Sequence, residues 1–174
     1  MAHYYQGKYR QESSRLPGWD YGGAGYYFIT ICTEDEICCL GKIIEGTAYV
    51  SPLGMIVAEE WWRTPQIRPY VQLDAYQVMP NHFHGILVIT QSQADSEGAP
   101  AKSRLAADSV SSIFGQFKSV CTKRIWALGA ADFRWQERFH DHIIRSEEEL
   151  ERIRAYIQGN PGKWHEDRYY RADM

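Results

Sequence analysis

Residues 71–89 read VQLDAYQVMPNHFHGILVI. Val71, Leu73 and Ala75 alternate with Gln72, Asp74 and Tyr76, the period of a half-buried strand. Met79-Pro80-Asn81 breaks the run, and the apolar stretch from Phe83 to Thr90 resumes it as a continuation or an antiparallel partner. Working outward, YYFITICT (26–33) is dense in β-branched and aromatic residues and predicts a strand, and GKIIEGTAYV (41–50) predicts a hairpin turning at Glu45-Gly46. Ser51-Pro52 opens a helix with Ile56, Val57, Glu60 and Trp61 at helical spacing, ending before Pro65. Downstream, residues 91–107 are small and polar and predict a loop. Residues 109–128 carry Val110, Ile113, Phe117, Val120 and Ile125 on one helical stripe. A short strand is expected within 135–145. Ser146 and Glu149 then form a capping box, and Leu150, Ile153 and Ile157 lead that helix to Gly159. Strand, hairpin, helix, two strands, helix, strand, helix is an α+β order: an antiparallel sheet with helices packed on it, ferredoxin-like. The 174 residues are expected to form one domain, with residues 1–25 as a loosely ordered arm.

Composition limits what this fold serves. Hydrophobic residues make up 44% and charged residues 24%, and no run approaches the roughly 18 apolar residues of a membrane span. The first residues lack a signal-peptide pattern, and Cys32, Cys38, Cys39 and Cys121 show no C-x-x-C spacing, so a reducing cytoplasm is the expected address. A net charge of −3 and a pI near 6.1 argue against a uniformly basic nucleic-acid binder. The charge is uneven: Lys102, Arg104, Lys118, Lys123 and Arg124 face only Asp108 between residues 101 and 128.

His82 and His84 project to one face of their strand, with Phe83 on the other. Two imidazoles side by side make a two-point metal ligand, and Gly85 is expected to leave room beside them. A catalytic metal needs a third protein ligand and open positions. Two routes supply it. His140 and His142 form a second H-x-H, giving a closed four-histidine zinc site. Alternatively, Asn160 offers a carbonyl oxygen suited to Mg²⁺ or Mn²⁺, and it lies one helical turn beyond Tyr156, on the same face.

VMPNHFHGILVI, FGQFKSVCTKRI, WQERFHDHIIR and RIRAYIQGNP, in that order, resemble the REP-associated tyrosine transposases, a branch of the single-tyrosine HUH endonucleases that includes small insertion-sequence transposases. The resemblance runs from about Arg15 to Pro161. It implies that His82 and His84 are the histidine pair, Tyr156 the nucleophile and Asn160 the third metal ligand. It implies Mg²⁺ or Mn²⁺ as cofactor, and cleavage of hairpin-bearing single-stranded DNA through a 5′-phosphotyrosine that a 3′-OH can later attack without ATP. The chain accordingly has no nucleotide-binding G-x-x-x-x-G-K-[ST] loop. It also implies a bacterial cytoplasmic protein, nucleoid-associated when bound to DNA, and leaves monomer and homodimer both open.

On that reading Lys118, Lys123 and Arg124 would pair with phosphates, and Arg15, Trp19 and Tyr21 of the arm would contact unpaired bases. His142 falls within the family's Trp-Gln stretch, near the site. The rival functions are a non-catalytic DNA- or RNA-hairpin binder on the same fold and the four-histidine zinc protein.

Overall fold

The computed structural model describes residues 4–5, 8–9, 23–90 and 109–172. The expected contacts Arg15, Trp19 and Tyr21, the loop at 91–107, and Lys102 and Arg104 lie outside the described residues. Within the expected arm, β1 (Tyr4–Tyr5) and β2 (Lys8–Tyr9) pair antiparallel, and Gly25 already belongs to the sheet.

The elements follow as β3 (Gly25–Cys32), the hairpin β4 (Gly41–Ile44) and β5 (Thr47–Val50), α1 (Pro52–Ile67), β6 (Val71–Val78), β7 (His82–Ile89), α2 (Val110–Ala127), β8 (His140–Ile144) and α3 (Glu147–Gly159). The hairpin turns at Glu45 (φ 47°) and Gly46 (φ 74°), the two left-handed positions of a tight two-residue turn. The main sheet has the order β6-β7-β3-β8, with every neighbouring pair antiparallel. With α1 and α2 in the two crossovers, this is the ferredoxin-like β-α-β-β-α-β arrangement.

The sheet's two faces are unequal. Tyr27, Ile29, Ile31, Phe83, Leu87 and Ile89 join the larger core with α1 and α2. At its centre Trp61 lies with its ring 5.1 Å from Phe83 and 6.2 Å from Phe114. Trp62, the next residue, is exposed, and its indole N–H donates to Tyr76 Oη at 3.0 Å. The other face carries a smaller cluster of Ile86, Ile144, Leu150 and Ile157, with Phe28, Ala75 and Ile153 packed on it, and this seats α3.

Three expectations are corrected. Helix α1 does not stop before Pro65; it runs through to Ile67, and the Arg68 N–H closes the turn on Thr64 O. A proline this near the C-terminus removes one helical hydrogen bond and leaves the last turn intact. Gly85 leaves no room beside the imidazoles, because a Cβ there would stand 2.8 Å from Phe83 and 2.9 Å from Trp61, on the opposite face. The alternation in β6 breaks at a bulge: Leu73 pairs Leu87 and Tyr76 pairs Gly85, so Asp74 and Ala75 together face a single residue of β7. Leu73 and Tyr76 therefore pack on the larger core while Ala75 joins the cluster under α3.

None of the four cysteines forms a disulfide among the described residues; Cys32 and Cys121 are buried and Cys38 and Cys39 half-buried. No helix among the described residues is long and apolar enough to cross a membrane.

Candidate active site

β7 begins at His82, where the chain leaves the Pro80-Asn81 break and pairs with β3; Cys32 stands opposite His82 and Thr30 opposite His84. Both imidazoles are sealed from solvent, at 0% and 1% exposure. Asn81 is buried too, and its amide nitrogen donates to the backbone oxygens of Glu36 (3.0 Å) and Tyr169 (2.8 Å). That fixes the side-chain flip, so Asn81 Oδ1 accepts from His82 Nδ1–H at 2.8 Å, and His82 Nε2 carries a lone pair. Thr30 Oγ1 lies 2.8 Å from His84 Nδ1, in hydrogen-bond contact with it. Such outer partners orient metal-binding imidazoles.

The two Nε2 atoms stand 3.0 Å apart. Ligands at about 2.1 Å on adjacent corners of an octahedral ion are separated by about 3 Å, so the pair matches a Mg²⁺-like coordination edge. Burial pushes His82 down to about 3, helped by the Arg168 guanidinium, and holds His84 well below the usual histidine range, helped by His82. Both rings are therefore neutral and ligand-competent at any physiological pH.

Helix α3 brings the phenol. Ser146 Oγ accepts from the Glu149 N–H at 3.2 Å, half of the expected capping box; Glu149 returns not to Ser146 but to the Arg145 N–H at 2.9 Å. Leu150, Ile153 and Ile157 lay the helix on the sheet. Tyr156 then projects over the imidazoles: its Oη is 3.3 Å from His84 Nε2 and its ring 5.3 Å from the His84 ring, with Phe28 edge-on behind it. Burial lifts the Tyr156 phenol above its usual value and the Asp167 carboxylate lifts it further, while Arg168 and the Asn160 side chain oppose them.

Asn160 keeps helical angles (φ −59°, ψ −42°) past Gly159, so the one-turn spacing from Tyr156 survives the helix end. Its side chain is buried. Its amide nitrogen donates to Asp167 Oδ2 at 2.7 Å, and its Oδ1 has no hydrogen-bond partner. A buried carbonyl oxygen without a donor is costly unless something electropositive completes it, and a hard cation does so. The donor set thus fits a divalent ion.

Sequence reasoning missed Asp167. Ligand atoms of His82, His84 and Asp167 all lie within 4.8 Å of one another, and no other such trio of His, Cys, Asp and Glu forms among the described residues. Asp167 ends a short 3₁₀ segment (Pro161–Glu166) that folds back after α3, a path with no periodic signal.

Other candidates sit elsewhere. His142 donates from Nε2 to Glu149 Oε1 at 2.8 Å, serving the start of α3, and neither it nor His140 joins the metal cluster. The four-histidine zinc site is therefore not formed. Lys118 Nζ donates to the backbone oxygens of Gln136 (2.6 Å) and Glu137 (3.0 Å), bracing the segment before β8. Arg124 is engaged by Glu59 (2.5 Å) and Glu60 (2.6 Å) of α1. Lys123 is exposed, but α2 lies across the sheet from Tyr156. The cations beside the phenol are instead Lys163 and Arg168, which line an open cavity of about 370 Å³ with Tyr156, Gly159, Asn160 and Asp167.

No family model matches the chain. An uncharacterized protein of Haemophilus influenzae is 33% identical over 176 residues, covering 96% of this chain and 97% of its own. A solved structure of a REP-associated tyrosine transposase bound to a REP hairpin superposes with a TM-score of 0.60 at 22% identity, covering 88% of this chain and 74% of the other. The chain therefore belongs to one family with the Haemophilus protein, and its fold is of the REP-associated tyrosine transposase kind.

Proposed function

We propose that the protein is a metal-dependent nickase and strand transferase for hairpin-bearing single-stranded DNA, acting through a covalent 5′-phosphotyrosine at Tyr156. The observation that carries this reading is the 3.3 Å approach of Tyr156 Oη to His84 Nε2, between elements 72 residues apart in the chain. The fold likeness to a hairpin-bound transposase agrees with it.

His82, His84 and Asn160 would hold a Mg²⁺ or Mn²⁺ ion. When bound, it supplies Lewis-acid polarisation of a non-bridging phosphate oxygen. Helix α3 holds the Tyr156 oxygen at the site for in-line attack on phosphorus. The phenol–phosphorus bond forms as the bond to the 3′ oxygen breaks. The phenol proton leaves to solvent, which reaches a side chain 44% exposed, and the 3′ oxygen takes up a proton to depart as a hydroxyl. Reversal by a 3′-OH restores a phosphodiester with no nucleotide consumed. Lys163 and Arg168 stand where the DNA backbone would pass, and each neutralised phosphate adds salt-dependent affinity.

The test is incubation of labelled single-stranded hairpin oligonucleotides with the protein and Mn²⁺, followed by denaturing electrophoresis. A denaturation-resistant adduct is expected, and it should vanish in Tyr156→Phe. Hairpin binding with no adduct across a broad hairpin library would overturn the enzymatic reading and leave a binding protein.

A further inference from the structure

We infer that Asp167 is a fourth protein ligand of the metal site, the one anionic donor in it, and the residue that makes the site bind an oxygen-preferring divalent ion. The inference rests on the reading that His82, His84 and Asn160 hold such an ion. Those three donors are all neutral. Hard cations such as Mg²⁺ and Mn²⁺ are held chiefly through carboxylates, and affinity follows the number of charged ligands. Two imidazoles and an amide alone would make a weak and poorly selective site for them.

Asp167 supplies what is lacking. A carboxylate oxygen of this residue lies within 4.8 Å of ligand nitrogens on both His82 and His84. Its Oδ1 accepts the Tyr169 N–H at 2.7 Å, a local turn contact that would by itself account for an aspartate at this position. The turn contact does not account for Oδ2, which accepts from Asn160 Nδ2 at 2.7 Å. Asn160 thereby does two things with one amide: its nitrogen steadies the carboxylate, and its buried oxygen, without a hydrogen-bond partner, remains available as a donor. Each carboxylate oxygen has a second lone pair, so both hydrogen bonds persist when one oxygen also binds an ion. Hydrogen-bonded carboxylates of this kind are usual at metal sites.

Four protein donors on a six-coordinate ion leave two positions, room for a phosphate oxygen and one further ligand. The carboxylate also reduces the charge of a loaded site from two to one.

The experiment measures Mn²⁺ binding to the full chain, without DNA, from the loss of the free-ion electron paramagnetic resonance signal. Asp167→Asn should weaken Mn²⁺ binding by at least about 10-fold, the loss usual for an outer partner of a ligand and so a lower bound for a ligand itself. Because that substitution also alters the partner of Asn160, a second variant reads coordination directly. Asp167→Cys should lose Mn²⁺ affinity and, loaded with Cd²⁺, should show a thiolate-to-cadmium charge-transfer absorption beyond that of the wild-type cysteines. Wild-type Mn²⁺ affinity in Asp167→Asn, or no added absorption in Asp167→Cys, overturns the inference. If His82→Ala and Asn160→Ala lose Mn²⁺ while Asp167→Asn does not, the inference fails and the three-ligand reading stands. If the Mn²⁺ pattern holds but no hairpin gives an adduct, the metal site stands and the strand-transfer reading fails.

Discussion

Arg154 meets Asp74 in a two-pronged contact, Nε to Oδ1 at 2.9 Å and an Nη to Oδ2 at 2.6 Å. It ties α3 to the edge strand β6 two residues before Tyr156. Paired N–H···O bonds of this planar kind fix orientation as well as distance. Asp74 follows the core-facing Leu73 and so lies on the α3 side of the sheet, and the β6 bulge sets Ala75 there beside it.

Asp74→Asn is expected to lower the rate of adduct formation more than hairpin affinity, since it loosens the helix that presents the phenol. The loss of folding stability should be about 1–3 kcal/mol, measured by denaturant unfolding of both proteins. Unchanged adduct kinetics would show that the apolar contacts of α3 suffice to place Tyr156.

The same pair gives a pH signature. Hydrogen bonding from Arg154 holds the Asp74 carboxyl below its usual value. A depressed carboxyl contributes stability in full above its unfolded pKa, near ~3.9, and loses it as pH falls through the folded value. The stability difference between wild type and Asp74→Asn should therefore be constant from neutrality down to about pH 5 and should shrink below about pH 4. A difference that grows on acidification would contradict this assignment.

Asn81→Ala removes the acceptor that fixes the His82 tautomer while leaving both imidazoles in place. Mn²⁺ affinity should fall by about 10–100-fold, the usual cost of losing such a partner, by titration of the free ion.

Tyr156 and the imidazoles meet within one chain. A mixture of Tyr156→Phe protein with His82→Ala, His84→Ala protein should therefore form no adduct, each copy lacking one half of its own site. Recovery of adduct in the mixture would mean that copies exchange α3.

Gly85→Ala should cost about 1–3 kcal/mol by overpacking against Phe83 and Trp61, with Mn²⁺ affinity unchanged. A metal defect without a stability loss would return Gly85 to the imidazole side.

What could be read in the sequence was what repeats locally. The period of two put His82 and His84 on one face, and one helical turn put Tyr156 and Asn160 on another; the element order yielded the ferredoxin-like sheet. What could not be read depended on distant partners. Lys118 and Arg124 look like free cations on an amphipathic helix, yet their partners are carbonyls near residue 136 and acids on α1. Asp167 reaches the imidazoles only because the chain doubles back after Pro161. Gly85 belongs by the same period of two to the face of Phe83, where the close approach of Phe83 and Trp61 requires a glycine.

One surplus residue in β6 has an evolutionary corollary. Deleting Asp74 would restore strict pleating and leave no carboxylate from that strand for Arg154, whereas deleting Ala75 would restore it with Asp74 still opposite Ile86 on the α3 side. A homologue shorter by one amino acid there and lacking the aspartate must anchor its tyrosine helix by a different device, so a gap that removes the acid marks a change in how the nucleophile is aimed.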